Sequence, residues 1–445
     1  MAPYAIIGYD LQIQIGLPAM PDGSASAHLY RPKLATVVAE GYHLDHLRRD
    51  VLAALTVGIV ALPLSMAIAV ASGVSPERGL YAAVIGGFLV SALGGSRYQI
   101  GGPAGAFIVL VAATVTKFGL DGLLLTVFLS GFMLTLIGLL RLGSLIRYIP
   151  HAVTVGFSCG IAVTIFASQL RDLGGLTLAG AEPGHLLPKL AMLGQALPTI
   201  SPAALAIGVG SAALIFLLRR LLPNWPGMLI AVVLASLAAW LFGLPIETIG
   251  SHFGEIPHGL PGPRLPLISM SSVIEVLPAA LSFTLLGAVE SLLSAKIADG
   301  MTGRKHRYNM EVVAQGIANV ASALFGGISV TGTIARTATN IRAGACSPVS
   351  GMLHALFVLV FMVVAAPLAS FIPLSALAGV LVVVCWDMAE KEEFLHLLQD
   401  WRGASVLLAT FGFTLIEDLT VGIIAGCALA AAFAIFDRIR HRANS

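Results

Sequence analysis

Charged side chains are scarce in this sequence. Asp, Glu, Lys and Arg make up only 11% of the 445 residues, hydrophobic residues make up 57%, and the mean hydropathy is +0.91. Soluble domains carry about 25% charged residues. The 25 basic and 23 acidic residues are scattered between apolar blocks, which leaves no basic surface for nucleic acid. The composition therefore indicates a polytopic membrane protein that binds no nucleic acid.

The sequence patterns of common enzyme, metal and cofactor sites are also missing. The four cysteines, Cys159, Cys346, Cys385 and Cys427, lie in or beside apolar segments without C-x-x-C or Cys/His spacing, so neither disulfides nor zinc is expected. No Ser/His/Asp set and no phosphate-binding loop emerges. We therefore expect no enzyme, no metal and no cofactor.

The first 50 residues are mixed in character and are interpreted as a cytoplasmic arm. They contain no apolar core of signal-peptide length after a basic start. Residues 10–15 alternate polar and apolar side chains, which predicts a short strand.

Apolar segments long enough to cross a bilayer, about 20 residues each, follow from residue 51. We predict full segments at 51–71, 79–95, 121–140, 151–168, 202–220 and 226–243 in the first half. The second half has 275–296, 309–325, 349–366, 372–388, 403–417 and 419–437. Each half also contains one short segment, at 104–116 and 330–342. The predicted domains are an arm at 1–50, a first repeat at 51–243, an external loop at 244–274, a second repeat at 275–437 and a cytoplasmic tail at 438–445.

The two short segments hold the same position in each half, third and tenth of fourteen. The glycine pairs that precede them, Gly101-Gly102 and Gly326-Gly327, are 225 positions apart. Seven crossings per half force the halves to insert with opposite orientation, and paired interrupted segments mark the midplane site of secondary transporters. We therefore predict an all-α polytopic membrane protein with two inverted seven-segment repeats.

The distribution of basic residues predicts the orientation. With the N-terminus placed in the cytoplasm, nineteen of the 25 Lys and Arg residues fall on the cytoplasmic side and five fall outside. Arg336 remains in the interior. Cytoplasmic loops carry this excess of Lys and Arg, so both termini are predicted to be cytoplasmic.

Segments three and ten predict an anion site. Each begins with an extended glycine-rich stretch and becomes helical near the midplane, so that two helix N-termini meet head to head. Helix N-termini present unpaired N–H groups and a positive dipole end, equivalent to roughly half an elementary charge. Arg336, one turn into the second half-helix, adds a planar cation suited to a carboxylate or an oxyanion. The alternative is that Arg336 snorkels or neutralises an internal carboxylate.

The eighth segment contains a single carboxylate in mid-helix, Glu290, with Ser294 one turn further on the same face. A carboxyl group buried without a partner favours its protonated form. We therefore predict that Glu290, with Ser294 beside it, couples transport to a proton. A static ion pair with Arg336, or a capping role, is the alternative.

The polar run from residue 309 to 347 resembles the signature of the SulP sulfate permease family, also called solute carrier family 26. The matching residues are Asn309, Gln315, Gly316, Asn319, Phe325, Gly326, Gly327, Thr331, Gly332, Ala335, Arg336, Thr337, Asn340, Gly344, Ala345 and Ser347. Asp50, Pro63 and the stretches 79–81 and 290–295 match as well, and the resemblance covers residues 42–437. Ser329 stands where many members have proline.

The resemblance implies a core domain of segments one to four and eight to eleven, and a gate domain of the remaining six. It implies an anion site between the two half-helix N-termini, formed by Ala104, Gly105, Ala106, Phe107, Val330, Thr331, Gly332, Thr333, Ala335 and Arg336. Glu290 matches the coupling carboxylate. Members commonly form homodimers and continue into a cytoplasmic STAS domain, whereas this sequence stops at Ser445, so a natural short form and a truncated chain are both open.

These observations predict a secondary active transporter of a bacterial inner membrane. The expected substrate is a C4-dicarboxylate such as fumarate, or sulfate, carried with a proton by an elevator or rocking movement. The main alternative is an uncoupled exchanger or uniporter for bicarbonate or chloride. A proton-coupled nucleobase carrier and a non-transporting sensor are less favoured, because the first needs more carboxamides and carboxylates and the second needs no paired half-helices.

Overall fold

The computed structural model describes residues 30–143, 150–180, 182–183, 186–222, 225–254, 257–417 and 419–443. The strand predicted at residues 10–15 lies outside the described residues. Within them the chain is almost wholly helical, and its two short strands pair with each other.

The first half of the chain contains the following elements. Its helices are α1 (Lys33–Glu40), α2 (Leu44–Ala71), α3 (Pro76–Tyr81), α4 (Gly87–Leu93), α5 (Ile108–Leu139), α6 (His151–Gly174), α7 (Leu186–Ala196), α8 (Pro202–Leu221) and α9 (Gly227–Leu241). A π-helical turn (Ala82–Gly86) joins α3 to α4, strand β1 (Gly101–Gly102) follows, and a 3₁₀ turn (Gly105–Phe107) leads into α5. A second 3₁₀ turn (Leu197–Thr199) follows α7.

The second half has a matching order of elements. It contains α10 (Ile249–Phe253), α11 (Met270–Thr302), α12 (Tyr308–Leu324), β2 (Thr331–Gly332), α13 (Ile334–Arg342), α14 (Val349–Ala369), α15 (Leu374–Met388), α16 (Lys391–Leu397), α17 (Trp401–Ile416) and α18 (Leu419–Ala443). Strands β1 and β2 each precede a helix that begins inside the protein.

Six described helices are long and apolar enough to cross a membrane. They are Leu44–Ala71, Gly105–Leu139, His151–Gly174, Pro202–Leu221, Met270–Thr302 and Val349–Ala369, and Gly227–Leu241, Trp401–Ile416 and Val421–Phe436 are shorter apolar helices. The predicted all-α membrane fold is confirmed. The count of fourteen segments and the domain boundaries stay predictions.

Several predicted boundaries differ from those observed. Helix α2 begins at Leu44, because His43 and His46 form a capping box there, so the predicted arm at 1–50 includes helical residues. Segments three and four form one helical stretch that breaks at Gly119, where φ is 69°. Helix α11 begins at Met270, capped by Ser269, inside the predicted external loop, which also contains α10. Helices α7 and α16 were not predicted, because their 11 and 7 residues are too few to cross a bilayer.

The described helices pack into two groups. The core group consists of α2, α3, α4, α5, α11, α12, α13 and α14, and its members contact one another far more than they contact the rest. The gate group consists of α6, α8, α9, α15, α17 and α18. The groups meet mainly where α2 lies against α9 and α15. This grouping agrees with the core and gate domains that the family resemblance implies.

Candidate anion site

The two half-helices are joined by a short antiparallel ladder. Gly101 lies opposite Gly332, and Gly102 lies opposite Thr331. The ladder places the start of the first half-helix, which we define as the 3₁₀ turn at 105–107 and α5 as far as Gly119, beside the start of α13, the second half-helix. The pair Gly326-Gly327, which holds the position in the second half that corresponds to Gly101-Gly102, lies outside the ladder. That pair directly follows α12, and Gly326 has a φ of 70°.

Buried polar side chains hold the approach to the second half-helix. The Asn319 amide nitrogen donates to the Val330 carbonyl oxygen at 2.7 Å, and its amide oxygen accepts from the Val330 N–H at 2.9 Å. The Ser322 hydroxyl donates to the Ile328 carbonyl oxygen at 2.7 Å. Because extended backbone at membrane depth finds no partner in lipid, these side chains replace the missing secondary structure.

The helix start is fixed in the same way. The N–H and the hydroxyl of Thr333 both donate to the Ile100 carbonyl oxygen, at 3.0 and 3.1 Å. The Ile100 N–H donates to the Thr337 hydroxyl oxygen at 3.1 Å, and the Ser294 hydroxyl donates to that oxygen at 3.4 Å. The two repeats are therefore bound to each other at the half-helix junction.

This arrangement narrows the predicted set of anion donors. The N–H groups of Val330 and Thr333 are already bound, so these two members of the predicted set do not donate to an anion. The first turn of a helix leaves its N–H groups without intrahelical partners, which here are those of residues 334–336 and 105–106. Ala335 is exposed and Gly105 is half-buried, whereas Ala104, Ala106 and Phe107 are buried.

Arg336 is 2% exposed and lies within the core group. Its Nη2 donates to the Ser65 hydroxyl at 3.1 Å and to the Pro103 carbonyl oxygen at 3.4 Å. Its Nε and Nη1 have no hydrogen-bond partner within the described ranges. A Cβ on Gly102 would lie 2.4 Å from Nη1, so glycine at this position makes room for the guanidinium. Arg336 thus brings a positive charge with open donors beside the first half-helix.

Glu290 lies on the face of α11 that meets the junction. Gly287, three residues earlier, accepts a hydrogen bond from the Thr331 hydroxyl at 3.3 Å, and Ser294, four residues later, contacts Thr337. The Glu290 Oε2 atom is buried without a hydrogen-bond partner among the described residues. The described part of the chain contains no ion pair between Glu290 and Arg336, and so gives no support to the static pair left open above.

Sequence reasoning missed some of the polar residues that build this junction. Gln99 donates to the Ser291 hydroxyl at 3.0 Å and so joins the loop before β1 to α11. Asn319 and Thr337 were recognised only as matches to a family pattern, although their hydrogen bonds hold Val330 and Ile100 in place. A carboxamide or hydroxyl in the middle of an apolar segment is the signal that marks them, because a buried polar group requires a partner.

The C-terminal end of the second half-helix is anchored by Asp50. Its carboxylate accepts from the N–H groups of Cys346 and Ser347, at 2.8 and 3.2 Å, and from the hydroxyls of Ser347 and Tyr42, at 2.5 and 2.9 Å. Asp50 is fully buried in α2. The first helix of the core group therefore holds the loop that ends α13.

An all-helical membrane fold, with two interrupted helices joined head to head and a cation between them, defines a membrane transport protein of the inverted-repeat type. The sulfate permease family matches residues 47–410. The chain belongs to this family. It is an anion transporter and not an enzyme, as predicted.

Three relatives illustrate the relationship. The chain is 44% identical over 400 residues to YvdB of Bacillus subtilis (strain 168), which is provisionally named a sulfate transporter. The alignment covers 89% of this chain and 75% of YvdB. The structure of the transmembrane domain of a cyanobacterium bicarbonate transporter, BicA, matches with a TM-score of 0.76 at 31% identity, covering 86% of this chain and 98% of that domain. The structure of SLC26A9 matches in fold, with a TM-score of 0.85 at 19% identity over 93% of this chain and 69% of SLC26A9.

Proposed function

We propose that the protein carries sulfate, or a C4-dicarboxylate such as fumarate, across a bacterial inner membrane together with a proton. The observation that carries the proposal is Arg336, a buried cation whose Nε and Nη1 lack partners in the described structure. Leaving such donors unmet costs free energy, and an oxyanion or carboxylate with two acceptor oxygens meets them in pairs. The nearby half-helix N-termini add further N–H donors for a second charge.

Glu290 supports the coupling part of the proposal. It lies on the junction face of α11, and its Oε2 atom has no partner among the described residues. A proton taken up there removes a buried negative charge close to the anion, so anion and proton favour each other's binding. On this proposal the core group moves against the gate group with both ligands aboard, and the termini lie in the cytoplasm.

A second candidate is bicarbonate transport by exchange or uniport. The similarity to BicA, at 31% identity over a solved transmembrane domain, favours it, whereas the 44% identity to YvdB favours sulfate. On this candidate the single charge of bicarbonate is balanced by Arg336 and the half-helix N-termini, and Glu290 keeps one protonation state throughout transport. Proton dependence therefore separates the two candidates.

The test is uptake of labelled sulfate, fumarate and bicarbonate into liposomes that contain the purified chain, with and without an inward proton gradient. Sulfate or fumarate uptake stimulated by the gradient is the expected result. Bicarbonate flux that does not change with the proton gradient would contradict the proposal and support bicarbonate exchange or uniport. Mass photometry of the same preparation checks the expected homodimer.

A further inference from the structure

The atoms that lie closest to an added Cβ on Gly105 come from apolar side chains of the gate group. A Cβ on Gly105 would lie 3.2 Å from the Met388 Sδ, 3.8 Å from the Ile165 Cδ1 and 3.9 Å from the Val384 Cγ1. Met388 and Val384 belong to α15, and Ile165 belongs to α6. Around Gly105 the gate group thus offers carbon and sulfur atoms, while the N–H donors and Arg336 come from the core group.

Met388 lies at the corner between α15 and α16, and side-chain contacts before and after this corner join it to other helices of the gate group. It is the last residue of α15, and α16 begins three residues later at Lys391. Just before the corner, Asp387 forms an ion pair with Arg219 of α8 at 2.8 Å. Just after it, Glu393 lies 3.0 Å from the His151 side chain at the start of α6. Exposed ion pairs add little stability, but these two join the corner to two other helices of its own group.

We propose that Met388 is a gating residue of the anion site, which closes over the N-terminus of the first half-helix at Gly105. The inference rests on the proposed anion site. Methionine suits this role because its unbranched thioether is flexible and fills irregular gaps. The Met388 thioether offers the anion no strong donor. It therefore affects the rate of anion entry and the size of anion that can enter more than the binding affinity.

A double-substitution cycle tests the contact. Gly105→Ala adds a methyl group against the Met388 Sδ, and we expect sulfate uptake to fall about fivefold, the scale of coupling between contacting residues. Met388→Ala opens the space, so the double variant is expected to recover to within about twofold of Met388→Ala alone. Met228→Ala is the matched control. Met228 is half-buried in the gate helix α9, and none of the three atoms nearest the Gly105 Cβ position belongs to it. It is not expected to rescue Gly105→Ala.

The single variant tests the gating role. For Met388→Ala we expect the KM for sulfate to stay within about twofold, while the ratio of fumarate to sulfate uptake rises about threefold, because losing three heavy atoms widens the entrance. Met388→Leu, which keeps most of the volume, should keep the wild-type ratio. A KM change with an unaltered ratio would assign Met388 to anion affinity and overturn the gating role.

A reversible tether provides an independent measurement. Cysteines are placed at Gly105 and Met388 in a background without the four native cysteines. A short bis-methanethiosulfonate reagent should join them through one disulfide at each cysteine, with a methanesulfinate leaving from each end, and so stop uptake. Reduction of these disulfides should restore uptake. Uptake that continues through a complete crosslink, or losses of Gly105→Ala and Met388→Ala that simply add, would overturn the inference. If the wild type takes up none of the three anions, the proposed function fails first and takes the gating role with it.

Discussion

At the residue scale, Arg336 and Glu290 bring two unpaired polar groups to one junction without pairing with each other. An ion pair between these two buried side chains would occupy the groups that we assign to the anion and the proton. In the described structure Arg336 instead reaches Ser65 and Pro103, and Glu290 keeps Oε2 free of partners. Each side chain is thus available to a different ligand.

Removing the Arg336 charge should weaken anion binding. For Arg336→Ala we expect a loss of about 1.5–3 kcal/mol, the scale of a hydrogen bond to a charged group. Arg336→Lys is the matched control, which keeps the charge but loses the planar fork, and it should recover only part of the affinity. Isothermal titration with sulfate in detergent measures both. Wild-type affinity in the alanine variant would show that Arg336 serves the fold alone.

Replacing Glu290 with glutamine should separate transport from the proton. Glutamine resembles the protonated carboxyl group in shape and in lacking charge. We therefore expect Glu290→Gln to lose the stimulation of uptake by an inward proton gradient and to keep anion exchange. Counterflow of labelled sulfate without a gradient is the control that the variant still folds and binds. Undiminished stimulation by the gradient would remove Glu290 from the coupling mechanism.

At the element scale, the half-helix junction depends on side chains in place of regular structure. Asn319 serves both backbone groups of Val330, and a carboxamide is the side chain that can donate and accept at once. Removing it leaves a buried N–H and a buried carbonyl oxygen unmet.

Asn319→Ala should therefore destabilise the junction by about 1–3 kcal/mol, the cost of unsatisfied buried groups. Thermal unfolding of the purified protein measures the effect, and sulfate uptake should fall with it. Asn309→Ala is a useful comparison, because the Asn309 amide oxygen has no partner within the described residues and its loss should cost less. Equal unfolding temperatures for the Asn319 variant and the wild type would contradict this account.

The loop after the second half-helix contains Cys346, a thiol that is an unusually weak acid. Burial, together with the neighbouring Asp50 carboxylate, raises the pKa of Cys346 to about 11. Only the thiolate reacts with maleimide, so labelling of Cys346 should be slow at pH 7 and rise roughly tenfold per pH unit up to pH 9. Asp50→Asn should speed labelling at a fixed pH. The experiment uses a variant whose other cysteines are alanine, and labelling at the rate of a free thiol at pH 7 would refute it.

The sequence was sufficient to predict most of the helices but not the contacts that join them. Periodic apolar runs and the glycine-rich interruptions were enough to predict the helices and two half-helices, since length and hydropathy decide what crosses a bilayer. The pairing of Gly101 with Gly332 was not predicted, because strand register depends on contacts between distant parts of the chain. Met388 was also missed, since an apolar residue at a helix end carries no signal that it faces a site.

At the scale of the whole molecule, the division into two groups indicates which group holds the anion and where the two groups move against each other. The core group contributes every polar contact at the junction described above, whereas the gate group contributes Ile165, Val384 and Met388 around Gly105. A bound anion therefore belongs to the core group and would move with it. The weaker contact between the groups, along α2, α9 and α15, is the surface along which such movement would occur.

A transported anion should raise the stability of the whole protein. A ligand that binds only the folded state adds about 2.7 kcal/mol at a concentration 100 times its Kd. We expect the unfolding temperature to rise with sulfate concentration in the wild type and to stay level in Arg336→Ala. Sodium chloride at matched ionic strength is the control for general salt effects. A rise of the same size in both proteins would point to binding elsewhere.

The ladder between β1 and β2 also has a consequence for how the protein is made. Gly101 and Gly332 lie in opposite halves of the chain, and they face each other in the ladder. While the ribosome is still working on the second half, the first half-helix is already in the membrane with an unpaired strand before it. Bare backbone groups are not tolerated in lipid, so that strand must be sheltered by water or by the insertion machinery until its partner arrives. The anion site that we propose is therefore complete only after both halves of the chain have been synthesised.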